Sequence, residues 1–119
     1  MVIGYKRVYE PASPEDGTRV LVDRLWPRGF TKERLAALWW PELAPSPELR
    51  KWYNHEPQRW DEFRARYTAE LCFRREAVMK LLALAQKGPV TLLTATREVE
   101  RSAAVVLRDH LLDLERQVR

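Results

Sequence analysis

The sequence predicts an α/β domain in which a small, largely parallel sheet of about three strands is flanked by helices, with all of residues 1–119 in one domain. Three observations carry this. The runs Val20-Leu21-Val22 and Val90-Thr91-Leu92-Leu93-Thr94 are continuously apolar rather than alternating, as in strands covered on both faces. Between and after them, apolar residues recur at helical spacing. The order strand, strand, helices, strand, helix favours parallel pairing, because a helical crossover joins parallel neighbours.

Val2 to Tyr9 mixes β-branched and aromatic residues and ends at Glu10-Pro11, which reads as a first strand closed by proline. Pro11 to Gly17 holds two further turn signals, Pro14 and Asp16-Gly17. The second strand spans Thr18 to Leu25. The link between these strands is too short for an ordinary helical crossover, so they form either a hairpin or a pair that are not neighbours. Thr31 can cap a short helix running to about Leu38, which must stop before Pro41. Ser46-Pro47-Glu48 supplies a capping hydroxyl, a first-turn proline and a first-turn carboxylate, and Leu49, Trp52 and Tyr53 follow at helical spacing. Aspartate at position 46 should serve that cap as well as serine. Pro57 to Lys87 is one long helix or two with a break near Phe73, stopped at Gly88-Pro89. The third strand is Val90 to Thr94, and Val99, Ala103, Val106, Leu107, Leu111, Leu114 and Val118 form the stripe of a last helix.

With 45% apolar and 32% charged residues, the chain can bury one sizeable core without staples. A single cysteine, Cys72, excludes an intramolecular disulfide and any multi-cysteine zinc site. No apolar stretch approaches the ~20 residues that span a bilayer, and MVIGYKRVYE has no signal-peptide core, so a cytoplasmic protein without membrane partners is expected. The net charge of +4 is unlike that of a nucleic-acid tail. Its basic side is dominated by arginine, whose planar fork binds carboxylates and phosphates, although composition bias or thermal adaptation also raises arginine usage.

In open α/β sheets, ligands collect beyond the carboxyl ends of the strands. Two segments fall there. Asp23-Arg24-Leu25-Trp26-Pro27-Arg28-Gly29 gathers a carboxylate, two guanidiniums and an indole in one loop; it is read equally well as an anion site and as a turn braced by Asp23 with Arg24 or Arg28. Thr94-Ala95-Thr96-Arg97 leads into the last helix, where a plain helix cap is the better reading because the glycines of a phosphate loop are missing. Cys72 reads as buried packing material on its helix. His55, at the end of the Ser46 helix, is the sole proton-shuttle candidate, with Asp23 the other weak catalytic candidate. His110, within the last helix, reads as structural or exposed. Two isolated histidines give no metal site, and no cofactor is expected. Trp52 and Trp60 fall on apolar stripes, whereas Trp39-Trp40 lies in a proline-bounded stretch and suits an oligomer interface, such as a homodimer's, or a pocket wall.

The string Val22-Asp23-Arg24-Leu25-Trp26-Pro27-Arg28-Gly29, with Lys6-Arg7-Val8-Tyr9, Asp16-Gly17, Leu43-Ala44-Pro45-Ser46, Trp52, His55 and Val90-Thr91-Leu92-Leu93, resembles the YeaO-like family of small bacterial proteins, grouped under a domain of unknown function. The resemblance covers nearly the whole chain and implies a compact α/β domain, but no activity. It also marks a departure: where many members carry an asparagine, and often a histidine or glutamate, this chain has Ser102-Ala103.

Two functions are therefore expected. The first is a small-ligand-binding protein or enzyme for an anionic compound, such as a phosphorylated one, with Arg24 and Arg28 as clamps and Lys6, Arg7, Arg50 and Arg97 as supporting charges. The alternative is a nucleic-acid-associated or regulatory protein, against which residues 97–119 set five arginines beside five acidic residues. Arginines converging in a concavity favour the first, and arginines along a convex face the second.

Overall fold

In the computed structural model, which describes residues 1–117, four parallel strands form one sheet in the order β1-β4-β2-β3. They are β1 (Ile3–Arg7), β2 (Thr18–Leu21), β3 (Leu38–Trp39) and β4 (Val90–Thr94). The helices are α1 (Lys32–Leu35), α2 (Pro47–Tyr53), α3 (Trp60–Cys72), α4 (Arg75–Lys87) and α5 (Ala103–Gln117). Val118, assigned by its spacing to the last apolar stripe, lies outside the described residues.

β1 and β2 are not neighbours. β4 lies between them, with Ile3 and Thr18 both opposite Val90. The link from β1 to β2 therefore steps over one strand, and it does so with a loop and a short 3-10 turn, Pro14–Asp16, instead of a helix. Ser13 caps that turn, accepting from the Glu15 N–H while Asp16 accepts from the Ser13 N–H. Gly17 follows at φ +63°, where a Cβ would stand 2.2 Å from the Pro89 carbonyl oxygen; only glycine lets the Thr18 N–H reach that same oxygen at 3.0 Å.

The fourth strand corrects the expected count of three. The Thr31 helix stops at Leu35 rather than about Leu38: Ala36 turns left-handed at φ +50°, and Leu38 and Trp39 pair with Val20 and Leu21. The Trp39 indole donates to the Asp23 carbonyl at 3.0 Å and meets Trp26 edge-on, so tertiary contacts override the helical tendency of this stretch. The break in the long helical segment falls at Phe73 and Arg74, separating α3 from α4. Cys72 corrects a second reading: the last residue of α3, it is exposed and is not core packing.

Val20, Leu21 and Val22 are all fully buried, as their unbroken run predicts, because they are covered from both sides. One face carries the larger core, where Val20, Val22 and Leu92 meet Phe63, Tyr67, Leu82, Leu107 and Leu111 of the longer helices. On the other face Val8, Leu21 and Leu93 pack against Leu35 of α1, with Trp26 and Phe30 beside them. No helix among the described residues is long and apolar enough to cross a membrane.

Candidate functional site

All four strands run the same way, so their carboxyl ends share one edge. After β2 the chain turns to α1 on one face, and after β4 it turns to α5 on the other. Neighbouring strands whose chains depart to opposite faces leave a crevice between them, the place where open α/β sheets hold ligands. Here that crevice opens into a cavity of about 360 Å³ whose walls include Asp23 to Pro27, Arg50, Tyr53, His55 and Ala95 to Arg97, together with Arg101, Ser102 and Ala103.

Asp23 spans the crevice. Its Oδ1 accepts from the Thr94 hydroxyl and its Oδ2 from the Ala95 N–H, both at 2.7 Å, so it ties the end of β2 to the end of β4. Burial pushes its carboxyl above the ordinary range, against the pull of those two donors and the Arg50 charge. Asp23 forms no ion pair with Arg24 or Arg28: the bracing runs through neutral donors instead.

Four arginines converge on the cavity. Arg24 comes from the β2 loop, Arg50 from α2, and Arg97 and Arg101 from the segment between β4 and α5. All four are exposed, and among the described residues none makes a salt bridge or a side-chain hydrogen bond. Asp23 is the one acidic residue on the wall. Tyr53, three residues beyond Arg50 on the same helical face, donates its hydroxyl to the Arg101 carbonyl at 2.9 Å. Burial raises its phenol above the ordinary range, Arg101 opposing and Glu98 adding, so the hydroxyl keeps its proton at neutral pH. His55 follows Asn54, both in left-handed backbone at φ +53° and +45°, and stands exposed at the cavity.

Asp23, Arg24, Arg50, His55 and Arg97 are thus brought together. Arg28, Lys6 and Arg7 lie outside the cavity wall. Lys6 points to the opposite face, where it pairs with Asp16 at 2.7 Å, and the Arg7 guanidinium lies over the Tyr9 ring. Arg101 and Tyr53 escape the sequence reading as site residues, whereas Ser102, noted there as a departure from the family, is on the wall. Val99–Arg101 is a 3-10 turn rather than the first turn of the last helix, and this bend brings Arg101 back beside Arg97. An arginine four residues from Arg97 in a strand-to-helix segment was the available signal.

Three hydroxyls at or beside the cavity are engaged within the fold. The Ser102 hydroxyl donates to the Val99 carbonyl at 2.7 Å, the Thr94 hydroxyl to Asp23, and Tyr53 to Arg101. His55 is the only imidazole on the wall, and Cys72 is not part of it. His110 sits on α5, where burial lowers its pKa against the opposing charge of Asp113.

A family profile described as the inactive DUF488-N3 subclade matches residues 2–118. The chain is 44% identical to the uncharacterised protein YeaO of Escherichia coli over 115 residues, 96% of this chain and 100% of the relative. It is 50% identical over 102 residues, 85% of this chain and 86% of the relative, to an uncharacterised protein of Mycobacterium tuberculosis, and equally so to one of Mycobacterium bovis. The chain belongs to the YeaO-like family, whose function is unknown. No solved structure matches it.

Proposed function

We propose that this chain is a cytoplasmic binding protein for an anionic, phosphate- or carboxylate-bearing small molecule, held by Arg24, Arg50, Arg97 and Arg101, and that it performs no chemistry on it. The observation that carries this reading is the convergence of four exposed arginines, none of them in a salt bridge, on one concave wall. Arginines that only solubilise a surface have no reason to face one another, since like charges repel; an anion between them removes that cost. The absence of chemistry is supported by Ser102-Ala103, which lie on the cavity wall where the family resemblance implies an asparagine and often a histidine or glutamate. The description of the matching subclade as inactive agrees with this.

The nucleic-acid reading is weaker. On α5 the Arg108 guanidinium pairs with Asp109 and Arg116 with Asp113, which leaves no basic stripe along that helix. Leu38 and Trp39, exposed on the β3 edge, are the surface we assign to a homodimer.

Titration with inorganic phosphate, followed by amide chemical shifts, tests the proposal. Localised, saturable amide shifts are expected at residues 24–26 and 95–103, and Arg101→Gln should raise the phosphate concentration for half-saturation about tenfold, the size of one charge-assisted hydrogen bond. Shifts that respond to DNA instead and spread along α5 would overturn it.

A further inference from the structure

The cavity changes character with depth. Its exposed wall residues are the four arginines, His55 and Leu25. Its buried ones are largely apolar: Tyr53 and Phe63 are 6% and 2% exposed and stack with ring centroids 4.2 Å apart and planes 15° apart, with Ala44 and Pro45 completing that wall. The Tyr53 hydroxyl is satisfied by the Arg101 carbonyl. At about 360 Å³ the space is in the size range of sites for small organic molecules and far exceeds one phosphate. An inorganic anion or a sugar phosphate would satisfy the guanidiniums and leave most of the space beside the apolar wall unfilled.

We infer that the ligand is an organic anion with a flat apolar body: an aryl or heteroaryl ring seats against the Tyr53–Phe63 floor, and a phosphate or carboxylate is carried outward to the arginines. This rests on the anion reading above and specifies its ligand. Apolar area removed from water then adds to the charged contacts, so the two parts of the site contribute separately.

The experiment compares inorganic phosphate, glycerol phosphate and phenyl phosphate on the unmodified protein by calorimetry and amide shifts. Phenyl phosphate should bind at least about tenfold more tightly than glycerol phosphate, consistent with burial of one ring. It should do so with a more negative heat-capacity change and shifts that reach Phe63 and Ala103. Phe63→Leu should reduce the phenyl phosphate advantage and leave glycerol phosphate unchanged; the ligand series on the unmodified chain stands without that variant. Equal affinities for the two phosphate esters would overturn the inference while the anion reading survived. Phenol binding as tightly as phenyl phosphate would overturn it too, because the arginines would then contribute nothing. Failure of all three phosphates to bind would overturn both.

Discussion

Arg19 and Arg101 belong to the same arginine-rich chain and are used in opposite ways. Arg19 is 8% exposed; its Nη1 reaches Asp16 at 2.6 Å and its Nε donates to the carbonyl of Leu35 at the end of α1. Asp16 in turn holds Lys6 at 2.7 Å and presents its backbone carbonyl to the Thr91 hydroxyl. Beneath the Pro14–Asp16 turn, then, every charge has its opposite. At the carboxyl edge of the sheet Arg24, Arg50, Arg97 and Arg101 face a common space, and the one carboxyl there, Asp23, is bound by a hydroxyl and an amide. The contrast separates two physical jobs: matched buried charges fix one chain conformation, and unmatched exposed ones stay available to a ligand.

The sharpest way to break the comparison is to remove a charge from the matched cluster. Asp16→Ala would leave Arg19 buried without its counter-ion, and it should cost about 3–5 kcal/mol in urea denaturation, the usual penalty for breaking a buried pair from one side. A loss under 1 kcal/mol would mean that the cluster is as solvated as the cavity rim. The acid response separates the two aspartates further. Burial works to raise the Asp16 carboxyl, but Lys6, the Ser13 N–H and Arg19 together hold it below the ordinary range. Its contribution is therefore fully present above the unfolded value of about 3.9 and is lost as pH falls through the lower folded value. Asp23, raised by burial, has the opposite sign: its contribution is present below about 3.9 and is lost as pH rises through the higher folded value. The stability of the unmodified protein relative to Asp16→Asn should thus rise with pH below about 4, and relative to Asp23→Asn it should fall with pH above about 4. Slopes of the same sign would erase the distinction.

A smaller effect tests the segment that carries the cavity's Ala44 and Pro45. Ser46 caps α2 as its position predicts, accepting from the Leu49 N–H at 3.2 Å. Its hydroxyl also donates to Glu70 at 2.6 Å, while its own N–H meets the other Glu70 oxygen at 2.8 Å. Ser46→Ala should cost about 1–2 kcal/mol, for the cap together with the Glu70 bond. Ser46→Asp should cost more than Ser46→Ala, because it sets two carboxylates against each other, contrary to what capping alone suggests. The thermal midpoints of the two variants rank them directly.

What could be read from the residues and what could not divides along a similar line. β4, the β2 core, the α2 cap and the break at Phe73 rest on local signals: unbroken apolar runs, a Ser-Pro-Glu start, a change of periodicity. β3 does not, since two residues have no period and Leu38 and Trp39 become a strand only because β2 offers them an edge. The placement of β4 between β1 and β2 is likewise a long-range choice, which the shortness of the first loop left open. Among site residues, those at strand ends were legible because topology puts strand ends at ligands. Lys6 and Arg7 lie near one, but Lys6 turns toward Asp16 and the Arg7 guanidinium lies over the Tyr9 ring. Arg101 was hidden by a 3-10 turn that resembles helix in sequence.

The smallest change in stability is expected where the change in binding is largest. Arg97→Gln and Arg101→Gln remove exposed charges with no acidic partner, so each should leave the unfolding free energy within about 0.5 kcal/mol, as surface substitutions do. At low salt the shift should be slightly upward, since one of four like charges around a common space is gone, and added salt should cancel it. A bound anion stabilises the folded chain by mass action, by about 1.4 kcal/mol at ten times its dissociation constant. That increment, read as a rise in thermal midpoint with phosphate, should be present in the unmodified protein, reduced in each single variant and lost in the double one. Should either variant instead lose more than about 1 kcal/mol with no anion present, the cavity arginines would be holding the fold as Arg19 does, and the division between matched and unmatched charge would not describe this molecule.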